Sequence, residues 1–261
     1  MTPGFAPPIL TSPNGPTHGP HAAVLALGTP LAVGLGVFWN SPERPGAPAG
    51  VVEASVEEKM TLARRWQINS TATWLTVTDR LIRGEHIREQ AAETALDLRD
   101  EVLERSGAAY LDVDDWLRAI SDHAEQAGWE PDRTDLVMRL AVKAFYAEQQ
   151  LAADDMLPAG ERVVTMFGHD LATAAYLTQA GARMGYTDPA TVQQMVDAIG
   201  HNASGVFGSW ASFAASYAMA STMLYGGYPV DEPYTGAVAV MKLLGTDPLS
   251  PWTNVPFPGR P

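Results

Sequence analysis

The stretch Ile87-Arg88-Glu89-Gln90-Ala91-Ala92-Glu93-Thr94-Ala95-Leu96-Asp97-Leu98-Arg99-Asp100-Glu101-Val102 sets the fold class. Ile87, Ala91, Ala95, Leu98 and Val102 recur at spacings of three and four, which draws one apolar stripe along a helix. Charged and polar residues fill the opposite face, so that face suits water. Nowhere does the chain alternate polar and apolar residues for long, as a half-buried strand requires. The reading is all-α: a single multi-helix domain over residues 21–261.

The pattern continues on both sides. Upstream, Ser55 and Glu58 form a capping box ahead of Met60, Leu62 and Trp66. Asn69 and Ser70 can cap the next helix, which holds Trp74, Leu81 and Ile82 and closes at Gly84. Downstream, Asp112 opens a helix with Trp116, Leu117 and Ile120, and Gly128 and Pro131 end it. Leu136, Leu140 and Ala144, beside Val137, Ala141 and Phe145, mark a long amphipathic helix to about Leu151.

Past Val163 the chemistry changes. Residues 163–230 contain four charges: Asp170, Arg183, Asp188 and Asp197. Helices are expected from about Gly168 to Met184, over 189–199 behind an Asp188 cap and Pro189, and from Ser209 to Tyr225. Helices with so little polar surface are buried on several sides, so they are expected at the centre, with the charged helices of 53–162 around them. A homo-oligomer interface gives the same pattern and stays open.

Three stretches rich in Pro and Gly frame these helices. Residues 1–20 hold six prolines and no Asp, Glu, Lys or Arg, and read as a flexible arm. Residues 41–50 read as a loop. Residues 248–261 form an irregular tail whose Trp252 and Phe257 are expected to pack on the domain. The uncharged run from Ala22 to Trp39 lacks preceding Lys or Arg and is interrupted by Pro30, Gly34 and Gly36. It reads as a buried helix or a hairpin broken near Pro30, not as an export signal or a membrane span.

The charge balance narrows the function classes. Asp and Glu number 30 and Lys and Arg 17, a net charge of −13. Such a surface repels a phosphate backbone, so no nucleic-acid partner is expected, whereas a basic protein would be steered toward it. There is no cysteine, which removes disulfides, thiolate nucleophiles and cysteine metal sites. A soluble, cytoplasmic protein fits all of this.

Six residues are the candidate site. His169 and Asp170 stand together near a helix start, where a histidine backed by a carboxylate can move protons. Helix capping by Asp170 is the plainer explanation. His201 follows a glycine and could converge on His169, but no His-x-x-x-His or His-Glu-x-x-His spacing supports a metal, and neither metal nor cofactor is expected. Trp210 and Tyr217, with Phe213, share a helix face that could line a pocket or form core. Ser209 lacks the Gly-x-Ser-x-Gly elbow of a nucleophile and reads as a cap. Tyr186 closes a Gly-Tyr pair after the first apolar helix.

Four motifs stand in order along the chain: Trp66-Gln67-Ile68; Asp170 followed by Gly185-Tyr186; the run Phe207-Gly208-Ser209-Trp210-Ala211-Ser212-Phe213-Ala214-Ala215-Ser216-Tyr217; and Leu243-Leu244 leading to Ser250-Pro251-Trp252. Together they resemble a bacterial family, domain of unknown function number twelve-sixty-six. The likeness covers roughly residues 60–255, and the Ser-Trp-Phe-Ser-Tyr run is its most specific part. The family's Asp follows a Trp and precedes an Arg by three positions; here His169 and Thr173 stand there. Its Gly-Arg after Ser-Tyr is replaced near Ala220-Ser221. The resemblance implies a helical fold, a bacterial source and a cytosolic setting, with no activity to transfer. A non-catalytic protein-binding or regulatory protein, immunity-like or an assembly partner, is therefore expected. The alternative is an enzyme with a pocket near His169, Asp170, His201 and Trp210.

Overall fold

The computed structural model describes residues 8–48, 50–158, 160–227 and 231–260. Among them it holds thirteen α-helices, one 3₁₀ helix and no strand. The first helices are α1 (Gly19–Leu25), a 3₁₀ turn (Ala26–Gly28), α2 (Thr29–Leu35), α3 (Val56–Trp66), α4 (Thr71–Ile82) and α5 (Glu85–Arg88). The middle of the chain forms α6 (Ala91–Ser106), α7 (Val113–Ala127) and α8 (Pro131–Ala153). The rest forms α9 (Phe167–Met184), α10 (Pro189–Val206), α11 (Trp210–Tyr225), α12 (Glu232–Thr246) and α13 (Pro251–Asn254). No helix among the described residues is long and apolar enough to cross a membrane.

The chain divides into two compact units, each drawn from separate stretches of sequence. One comprises Met1–Glu85, Asp170–Trp210 and Ala239–Pro261, and the other His86–His169 and Ala211–Val238. Of the charged helices, α3 and α4 belong with most of α9 and with α10 in the first unit, and α6, α7 and α8 belong to the second.

In the first unit Trp74 of α4 is completely buried, and its indole N–H donates to the Leu177 carbonyl of α9 at 2.7 Å. A Cβ at Gly181 would stand 2.2 Å from the Trp74 ring, so glycine is what lets α9 approach. Helix α10 runs through Gly200-His201-Asn202, where a helix end was expected, and stops at Val206. The reason is packing. Gly200 is not a terminal cap; α1 lies on α10, and a Cβ there would meet Val24 at 2.7 Å. The expected break near Pro30 is present, with that proline in the first turn of α2.

Residues 1–7 of the expected flexible arm lie outside the described residues. Residues 8–18 are tied to the following loop. Asn40 Oδ1 accepts the Ser12 N–H at 2.8 Å, Asn40 Nδ2 donates to the Ser12 carbonyl at 2.9 Å, and the Ser12 hydroxyl donates to Glu43 at 2.8 Å. The hydroxyl of Ser12, and then the Asn14 amide, hold the Glu43 carboxyl below its usual pKa range. The C-terminal tail packs as expected. Trp252 and Phe257 are buried, and the Trp252 indole donates to the Ala26 carbonyl at 2.8 Å.

In the second unit α6, α7 and α8 pack on one another around Leu96, Leu98, Trp116, Ile120, Val137 and Leu151. Each fully buried side chain of this size contributes roughly 1.5–3 kcal/mol. The stripe beginning at Ile87 is not one helix. Gln90 is extended (φ −85°, ψ 132°) and caps α6, while its side-chain amide donates to the His86 carbonyl of α5. Arg99, only 3% exposed, stacks over Trp116 at 4.9 Å and donates to both Glu148 oxygens and to the Val163 carbonyl. Glu148 also accepts the Val163 N–H at 2.8 Å, so one ion pair fixes the segment leading into α9.

The two units differ sharply in charge. The second contains 20 Asp and Glu against 8 Lys and Arg, a net −12, while the first contains 10 against 9, a net −1.

Candidate functional site

His169 is built into the second unit by the capping of α9. The buried Glu93 carboxylate of α6 accepts the Met166 N–H at 2.9 Å and the Thr165 hydroxyl. Ser216 of α11 accepts the Gly168 N–H at 2.9 Å and donates to the Thr165 carbonyl at 2.7 Å. These bonds satisfy backbone groups that a helix start leaves open. They also fix the next residue, His169, which is 2% exposed.

Around that imidazole stand three rings of the same unit. Tyr217 stacks at 5.7 Å and 30°, Tyr225 lies at 5.7 Å and 50°, and His86 at 6.2 Å and 31°. Tyr217 and Tyr225 are eight residues apart, two turns of α11, and so share a face. Lys143 of α8 caps the end of that helix, donating to the Thr222 and Gly226 carbonyls at 2.7 Å each. Burial lowers the Lys143 ammonium pKa, and the charge of Asp231 opposes the shift. The Tyr225 hydroxyl and His169 Nε2 lie 3.2 Å apart, so one donates to the other according to the tautomer. Tyr225 is 49% exposed, which gives this cluster an edge in solvent.

The arrangement can shuttle a proton between imidazole and phenol. A ring nitrogen of His86 and one of His169 lie within 4.8 Å of each other, so the two imidazoles could share a metal ion. Neither His86 nor Tyr225 was a sequence candidate. His86 sits on a four-residue helix and Tyr225 on the last residue of α11, and no periodicity links either to His169.

The other candidates belong to the first unit. Asp170 is completely buried. Tyr186 is half-buried beyond the end of α9, where its N–H caps the Gly181 carbonyl at 2.9 Å. His201 is exposed on α10, beside a groove of about 260 Å³ that includes His21, Gln193 and Pro258. It shares no unit with His169. Trp210 stacks on Trp252 at 4.8 Å and 14°, meets Phe257 edge-on, and donates to the Val255 carbonyl at 2.9 Å. Trp210 therefore anchors the tail. It shares α11 with Tyr217 but not its unit.

A second constellation, also missed in the sequence, lies in the first unit. The Arg183 side chain of α9, 1% exposed, pairs with Glu58 of α3, which is 125 positions away in sequence. Arg183 Nε donates to Glu58 Oε1 at 2.8 Å, and the Tyr176 hydroxyl donates to the same oxygen at 3.2 Å. This pairing explains why Ser55 makes only half of its expected box: its hydroxyl accepts the Glu58 N–H, while the Glu58 carboxylate turns to Arg183. Burial first, then the charge of Glu58, pushes the Tyr176 phenol above the ordinary tyrosine range. The three side chains line a cavity of about 340 Å³.

No curated protein and no solved structure matches the chain. One family model does, and it spans residues 61–257. Both constellations draw on that span for His86, His169, Tyr217, Tyr225, Tyr176 and Arg183, while Glu58 precedes it. With three quarters of its length matched in this way, the chain belongs to the DUF1266 family, proteins of unknown function.

Proposed function

We propose that this chain is a non-catalytic protein-binding or regulatory protein whose second unit docks a basic partner. The observation that carries the reading is the charge division: a net −12 lies in the second unit and −1 in the first. Asp97, Glu101 and Glu104 on α6, Asp112 and Asp114 at the start of α7, and Asp132 and Asp135 on α8 are exposed. The same unit holds a largely apolar cavity of about 350 Å³, lined by Leu103, Tyr110, Leu111, Trp116 and Phe145 together with the charged Arg99, Glu148, Glu161 and Arg162. An apolar pocket within a charged surround supports protein recognition: the pocket takes an anchor side chain, and the surround steers the approach.

The test is a capture experiment with the full chain and with an Asp97→Lys/Glu101→Lys/Glu104→Lys variant. A basic protein held by the first and lost by the second supports the reading. Retention of the same protein by both would defeat it.

A second reading, an enzyme acting at His169, is favoured by the 3.2 Å approach of Tyr225 to the buried imidazole. A substrate turned over by the wild type and spared by Tyr225→Phe with its fold intact would establish it.

A further inference from the structure

We propose that the cavity at Arg183 in the first unit is a binding site for a small molecule bearing an oxyanion, a carboxylate or a phosphate. Arg183 is 3% exposed and always charged, so each N–H needs an acceptor to offset the loss of water. Its Nε is satisfied by Glu58. Its Nη1 and Nη2 are buried with no hydrogen-bond partner, although Nη2 lies at ion-pair distance, 2.8 Å, from Glu58 Oε1. A buried donor left in this state is costly.

Arg183 forms part of the wall of the cavity of about 340 Å³, together with Arg44, Ser55, Glu57, Glu58 and Tyr176. That volume suits a small metabolite. Arg44 and Arg183 on one cavity wall make it a place for negative oxygen, and Arg183 Nη1, the terminal nitrogen left without an acceptor, has a hydrogen to give an oxygen of a carboxylate or phosphate. Glu57 and Glu58 line the same space, so a ligand carrying an ammonium as well as the oxyanion is also accommodated. This inference is independent of partner docking by the second unit.

The experiment uses the full chain with two probes, inorganic phosphate and acetate, followed by calorimetry and thermal shift. The expected result is saturable binding of at least one probe, with a higher Tm, weakened at least tenfold by Arg183→Lys and by Arg44→Gln. The probe that binds identifies the source of the oxyanion. Arg44 is exposed, so its variant keeps the fold and decides the matter if Arg183→Lys does not. Absence of saturable binding by both probes, or binding that Arg44→Gln leaves unchanged, would overturn the proposal.

Discussion

Each unit buries an arginine against a glutamate, and the two pairs are completed differently. Arg99 gives its guanidinium hydrogens to Glu148 and to the Val163 carbonyl, and its plane lies over Trp116. Arg183 gives one hydrogen bond to Glu58 through Nε, brings Nη2 within ion-pair distance of the same oxygen, and leaves Nη1 without an acceptor. A buried guanidinium is expensive unless its geometry is complete. The first arginine is therefore a clip that joins α6, α8 and the approach to α9. The second sits beside a cavity, which is where an incomplete pair can be finished by something else. The units differ in the same sense at their surfaces, one almost neutral and the other carrying nearly all of the net charge.

The largest effect should come from breaking the complete pair. Arg99→Ala leaves Glu148 without its partner and should cost about 3–5 kcal/mol in urea unfolding. Arg183→Ala should cost less, on the order of 1–3 kcal/mol, because it also removes the unsatisfied Nη1 donor and leaves Glu58 the Tyr176 hydroxyl as a partner. Equal losses would erase the distinction between the pairs.

Next in size is the tail anchor of the first unit. Trp210→Ala should cost about 3 kcal/mol, the lower end for aromatic truncation, because the ring is only half-buried. Limited proteolysis should then cut near Val255. An unchanged Tm would mean that the stacking on Trp252 contributes little.

The smallest effect tests the acidic face of the second unit. Burial first, and then the neighbouring charges of Asp100 and Glu101, raise the Asp97 pKa above the ordinary carboxylate value. A carboxyl raised in the folded state opposes folding once it is ionised. That cost is present above the folded pKa and vanishes below the unfolded value, about 3.9. Asp97→Asn should thus raise stability at pH 7 by a small margin, about 0.5 kcal/mol or less given solvent screening, read in urea unfolding. The margin should close as the pH falls toward about 3.9. A margin constant with pH would place the effect elsewhere.

How much of this was legible in the sequence depends on range. Helix starts were, because caps are local: Ser55, Ser70, Asp112 and Asp188 each accept the backbone N–H groups expected of them. The packed tail was legible from Trp252 and Phe257 alone, since rings of that size are rarely left in water. The helix end at Gly200 was misread because a glycine that permits close packing looks the same as one that ends a helix. The apolar helices α9, α11 and α12 contribute residues to both units, and no pattern in the sequence marks where one gives way to the other. Of the six site candidates, His169 and Tyr217 stand ring against ring in the second unit. Their partners His86 and Tyr225, like the Arg183–Glu58 pair, are joined by tertiary packing across long sequence separations. Spacing cannot reveal such contacts.

The central claim, that the second unit is the docking face for a basic partner, is tested most directly by association kinetics. Once a partner has been captured, its stopped-flow on-rate should be measured from low to high salt. Screening shortens the reach of a charge from about 10 Å at 0.1 M to about 3 Å at 1 M. The account predicts an on-rate that falls steeply over that range, and a much weaker fall for the variant with Asp97, Glu101 and Glu104 changed to Lys. An on-rate independent of salt in the wild-type chain would contradict it.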